Sequence, residues 1–120
     1  MSKNFESQGT TVWHATSRVA EIYMGYVSVL EGALSLRSGL TLDDYMDRIE
    51  VNREQLWLFV KRLLDRLAEE RDSVFAEQLR VVFGPAVVMA ERAGVSITPG
   101  TPCEAELLDE ARALVDRLED

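Results

Sequence analysis

Histidine and cysteine each occur only once in this chain, at His14 and Cys103, and there are only three prolines. A lone cysteine excludes an internal disulfide and suits a reducing compartment, so the expected location is cytoplasmic. One imidazole and one thiol do not make a metal set or a nucleophile–base pair, and no metal site or cofactor is expected. Basic residues are also short. Thirteen Lys and Arg stand against 21 Asp and Glu, a net charge of −8, which disfavours general attraction to nucleic acid or anionic lipid. The acid concentrates in the segment from Thr41 to Glu50 and above all from Cys103 to Asp120. No signal sequence is expected either: MSKNFESQG has no apolar core and reads as a flexible tail, residues 1–9. Val19 to Leu36 approaches the length of a membrane span, but Glu21 and Glu31 lie inside it without flanking basic clusters, so no membrane partner is expected.

What the chain does have is apolar helix-forming sequence. From Thr11 to Ser38 the only formal charges are Arg18, Glu21, Glu31 and Arg37. Apolar side chains fall on nearly every face, including Trp13, Ile22, Tyr26, Val29 and Leu34. A helix of that kind must be covered on most sides. The pattern predicts a long first helix, capped by Thr10 or Thr11 and stopped at Gly39, to be covered by the shorter segments or by these together with a second copy of the chain. Thr41-Leu42-Asp43-Asp44 reads as the start of a short second helix, with Leu42, Tyr45, Met46 and Ile49 as its stripe. Asn52 caps a third helix to about Arg71, with Leu56, Phe59, Val60, Leu63, Leu64 and Leu67 inward. A fourth segment follows from Asp72 or Ser73. It is interrupted at Gly84-Pro85, where a kink or break is expected, and resumes as a short helix to Ala93. Residues 96–100 form a linker. Thr101-Pro102-Cys103-Glu104 is a capping box that opens a last amphipathic helix, with Leu107, Leu108, Ala111, Leu114, Val115 and Leu118 on its apolar face. The fold class read from this is all-α: one domain over residues 1–120, a bundle of five or six helices around the first.

Several constellations bear on function. LTLDDYMDRIEVNREQLWLFVKR has the apolar rhythm of a helix-turn-helix, with residues 41–67 as the DNA-binding unit. Glu50 stands at the turn position usual for glycine, however, and Asp43, Asp44 and Asp47 would face the phosphates. The first helix carries a row of small residues, Gly25, Ser28, Gly32 and Ser35, continued by Gly39. Glycine inside a helix costs up to about 1 kcal/mol, so two of them call for close approach of another backbone, within the chain or across a homodimer. On the third helix Trp57 sits at the rim of the inner face and Leu58 on the far side, near Arg62 and Asp65. Tryptophan and arginine around an exposed leucine resemble an interface centre. Catalytic candidates are sparse. His14 has no evident partner and Cys103 no basic helper. Asp47 and Glu50, with Glu69, Glu70 and Asp72, could converge on a magnesium ion only if two helices brought them together.

The function these features predict is not enzymatic. It is that of a small acidic helical regulatory protein acting by protein–protein interaction, as a homodimer through Gly25, Ser28, Gly32 and Ser35. Trp57, Leu58, Arg62 and Asp65 would meet the partner, and binding would modulate, in the inhibitory sense, a transcription factor or another macromolecular machine. The alternatives are the helix-turn-helix regulator and an acidic mimic of nucleic acid built from the Cys103–Asp120 helix with Asp43, Asp44 and Asp47.

Overall fold

The N-terminal residues form a hairpin. The computed structural model describes the backbone of residues 2–119 and the side chains of residues 2–117. Its first elements are β1 (Ser2–Ser7) and β2 (Thr10–Thr16), paired antiparallel. Gln8 and Gly9 between them both have positive φ, 51° and 82°, the arrangement whose twist matches that of the flanking strands. β2, TTVWHAT, is rich in β-branched and aromatic residues that suit a pleated surface. Phe5 pairs with Trp13 and Glu6 with Thr11, so Val12 is the extra residue of a bulge. The bulge lets two consecutive side chains, Val12 and Trp13, both be buried.

α1 (Ser17–Leu34) therefore starts later than the pattern suggests. Its cap is Thr16, whose Oγ1 accepts from the Val19 N–H at 3.3 Å. It ends at Ser35, which is left-handed at φ 53°, and not at Gly39. Beyond it the Glu31 carboxylate accepts from both the N–H and the hydroxyl of Ser38, at 2.9 and 3.0 Å, and turns the chain back.

The expected second helix is a second hairpin, β3 (Leu40–Asp43) and β4 (Arg48–Val51). Asp43, which looked like part of a helix start, accepts the Met46 N–H at 3.2 Å and closes the turn instead. β4 lies parallel to β1, giving a mixed sheet in the order β2-β1-β4-β3. Phe5, Trp13, Leu40, Ile49 and Val51 share its inner face. His14, Asn4, Arg48 and Asp43 form a polar row across the outer one.

Three longer helices follow: α2 (Arg53–Glu69), α3 (Val74–Arg92) and α4 (Pro102–Glu119). Asn52 caps α2 by accepting the Gln55 N–H at 3.1 Å. Gly39, at φ 81°, lies against this corner: a Cβ there would stand 2.7 Å from the Asn52 carbonyl oxygen, which only glycine avoids. In α4 the Glu104 N–H reaches Thr101 Oγ1 at 3.1 Å, while the Glu104 carboxylate accepts from the Gly100 N–H at 2.8 Å. α3 is the true centre. It packs on α1, α2, α4 and β2, and every residue from Val82 to Ala90 is buried. It runs unbroken through Pro85. Proline leaves the Val81 carbonyl without its helical donor, and the Tyr23 hydroxyl donates to the next carbonyl, Val82, at 2.8 Å. Packing on all sides holds together a helix that its local sequence would interrupt.

The fold is thus α+β, four helices beside a four-stranded mixed sheet, and the all-α bundle of five or six helices is not what the chain forms. The short elements account for the difference: two hairpins replace a tail, the first turns of one helix, and all of another. Leu118, placed on the apolar face of the last helix, lies outside the residues whose side chains are described.

Candidate interaction surfaces

α1 is buried along one stripe only: Ala20, Tyr23, Val27 and Leu30. Tyr23 stacks edge-on against Trp13 at 5.2 Å and Phe5 at 6.0 Å between ring centres, and its hydroxyl is satisfied by Val82. Burial pushes that hydroxyl's pKa well above the usual tyrosine value. Within its own chain α1 is not covered on most sides. Val19, Ile22, Tyr26 and Val29 are exposed, Ile22 at 56% and Val29 at 67%. They recur in steps of three and four, so they form a second apolar stripe along the helix. Gly25 and Gly32 lie beside it, and a Cβ built on either would meet nothing within 4 Å. Ser28 is exposed on the same side. Ser35 closes the helix instead of lying on it, and Gly39 belongs to the α2 corner. Gly25 and Gly32 therefore serve no close approach within the chain.

On α2 the four singled-out side chains all face outward. Trp57 is partly exposed and carries the Lys61 ammonium 4.4 Å from its ring centre, within the range of a cation–π contact. Leu58 is 55% exposed, so α4 does not cover it. Arg62 and Asp65 line a cleft whose opposite wall is Leu34 and Leu36, where the chain leaves α1. Trp57 and Asp65 line a second, with Ile97 and Glu104 across it. Asp65 thus stands between two grooves, and the structure does not bring all four residues into one pocket.

The other constellations resolve differently. Residues 41–51 are a hairpin, so the first helix of a helix-turn-helix is absent. The basic residues of α2 are interleaved with acids: Arg53 pairs with Glu54 at 3.6 Å and Arg66 with Glu70 at 3.2 Å. The acids proposed to mimic nucleic acid are partly neutralised at home, Asp47 by Lys3 and Asp43 by Arg48 at 3.9 Å. Asp47 and Glu50 are on the hairpin, so the two-helix arrangement needed for magnesium does not arise, and Glu50 pairs with Arg48 at 2.6 Å. Among the described residues no group of three or more His, Cys, Asp or Glu could hold a metal. His14 Nδ1 lies 2.5 Å from Asn4 Oδ1 on the outer face of the sheet. The Cys103 thiol receives an N–H from Arg71 at 3.4 Å, a basic neighbour that its sequence surroundings do not reveal. Among the described residues no helix is long and apolar enough to cross a membrane.

The sequence pattern of one protein family matches residues 1–119 of the chain. The chain belongs to DUF6086, a family of unknown function. No curated protein and no solved structure matches it. In this DUF6086 chain two further surfaces escape sequence reasoning. The turn of the second hairpin exposes Leu42, Tyr45 and Met46, with Tyr45 at 93%. Their spacing of three and four residues fits a helix stripe as well as a hairpin turn, so the sequence alone does not mark them as a surface. The other is a cleft between α3 and α4, whose two arginines, Arg80 and Arg117, lie far apart in sequence and come to line one cleft only through helix packing.

Proposed function

We propose that this protein works by binding other proteins and that its first contact is with a second copy of itself, face to face along α1. The observation that carries the reading is the unpartnered apolar stripe of Val19, Ile22, Tyr26 and Val29, flanked by two glycines with open space above them. Exposed apolar surface of that regularity costs solubility unless something covers it. Glycines in a helix lower its stability unless a backbone comes close. A symmetric pairing answers both, because the same patch meets itself across a two-fold axis. The outer face of α2, with Trp57, Leu58, Arg62 and Asp65, is left free for a different protein. The regulatory role expected from the sequence, inhibition of a transcription factor or another macromolecular machine, rests on that second surface. The α+β fold replaces the helical bundle as its scaffold.

Light scattering on the wild-type chain and on Gly25→Leu and Gly32→Leu tests the self-association. Neither substitution meets a neighbour within the chain, so each variant should keep its helical circular dichroism. The wild type should be a dimer and the variants monomers. A wild-type monomer at high micromolar concentration removes the reading.

A further inference from the structure

α3 and α4 touch closely at Gly84, where a Cβ would stand 2.9 Å from Leu114 Cδ2 and 3.4 Å from the Ala111 carbonyl oxygen. Beside that contact a cleft of about 390 Å³ opens between the two helices. Its apolar walls are Val81, Phe83, Leu107, Ala111 and Leu114. Phe83, Leu107 and Ala111 are core residues, so the floor of the cleft is the edge of the hydrophobic core, while Val81 stands at the exposed rim. The polar lining is Arg80, Glu110 and Arg117. A small-molecule site has this composition: a concave apolar floor, a few polar groups, and a volume within roughly 300–1,000 Å³.

The charges select the ligand. Glu110 is already shared between Arg71 Nη2 at 3.6 Å and Arg80 Nε at 3.8 Å. Arg80 is held at the rim by its Nη2–H, which donates to the Arg71 carbonyl at 2.9 Å, and its buried Nε has no hydrogen-bond partner. Arg117 enters no ion pair among the described residues. Two guanidiniums and one carboxylate leave the lining net positive, in a chain whose total is −8. A single anionic group is favoured there, since guanidinium is suited to carboxylate. A polyanion would meet the acidic remainder of α4.

We propose that this cleft binds a small amphiphilic monocarboxylate, its apolar body on Phe83, Leu107 and Leu114 and its carboxylate on Arg117 and Arg80. The site shares no residue with the α1 stripe, so the two readings stand or fall separately.

Titration of the full chain with decanoate, followed by calorimetry and amide NMR, tests this. Decanol and decyltrimethylammonium keep the apolar body and change the head group. Decanoate should bind saturably and shift the amides around Phe83, Leu107 and Leu114. Arg117→Gln should weaken it about tenfold, the share of one charge-assisted hydrogen bond. Val81→Trp, at an exposed position, should fill the cleft and abolish binding with the fold retained. Absence of saturable decanoate binding by the wild type overturns the proposal. So does equal binding of the cationic analogue, or decanoate binding that survives Val81→Trp. Amide shifts at these walls that follow protein concentration and ignore decanoate assign the cleft to a second copy of the chain, and likewise overturn it.

Discussion

Tyr23 shows how one side chain serves three purposes here. Its ring joins the sheet aromatics Phe5 and Trp13, its hydroxyl donates to a carbonyl beside Pro85, and its place in α1 fixes which face of that helix is buried. Because burial raises its folded-state pKa above the unfolded value near 10, the proton is held more tightly in the native state. Its contribution is complete below about pH 10 and declines as pH rises beyond it, by at most about 1.4 kcal/mol per pH unit. Urea unfolding at pH 9 and pH 11 should show a larger loss of stability for the wild type than for Tyr23→Phe. At neutral pH that variant should be less stable by about 1 kcal/mol, the net worth of one hydrogen bond. Leu58 illustrates the opposite case, an apolar side chain that the fold leaves out. Leu58→Lys should change thermal stability little, within about 0.5 kcal/mol, as for surface positions generally. If α2 is the partner-facing surface, binding should fall by about 2 kcal/mol or more. A sharp drop in melting temperature would instead make Leu58 part of the core.

At the scale of elements, the helix ends follow local chemistry and the middles follow packing. Thr16, Asn52, Ser73 and Thr101 each accept an N–H from three residues on, and each marks a helix start. α3 persists through Pro85 because four neighbouring elements cover it. α4 is the principal cover on one side, burying Leu107, Leu108, Ala111 and Val115. Each large aliphatic of that set contributes about 2 kcal/mol by burial. Truncation before Thr101 should therefore expose Phe83 and its neighbours and abolish a cooperative melting transition. An unchanged melting curve would show α4 to be an appendage.

For the whole molecule, charge and association are opposed. A dimer joins two chains of net charge −8, and on α1 only Arg18 and Glu21, one of each sign, border the apolar stripe and its glycines. Association driven by apolar contact against repulsion strengthens when salt screens the repulsion. Raising the salt from low to physiological concentration should lower the dimer dissociation constant measured by sedimentation. Weakening with salt would point to an interface held by ion pairs and not by the apolar stripe.

Sequence alone determined the features that a few neighbouring residues settle. The caps at Asn52 and Thr101, the inward face of α2 and the apolar face of α4 through Val115 were all readable, because a capping side chain and a 3.6-residue period are local properties. The outward placement of Leu58 came from the same period. What only tertiary structure decided is where that local logic is ambiguous. Leu42, Tyr45, Met46 and Ile49 repeat like a helix, yet a four-residue turn between two short strands produces the same spacing, and pairing of β4 with the distant β1 selects the hairpin. The residues read as a tail become β1 because a strand's hydrogen bonds are made to other segments: β2 across the Gln8-Gly9 turn on one edge, and β4, more than forty residues away in sequence, on the other. The apolar run from Thr11 to Ser38 records how much of α1 avoids charge, but not whether its own chain or another molecule covers it. The chain covers one stripe and leaves the other open, because the sheet and α3 offer α1 a single surface.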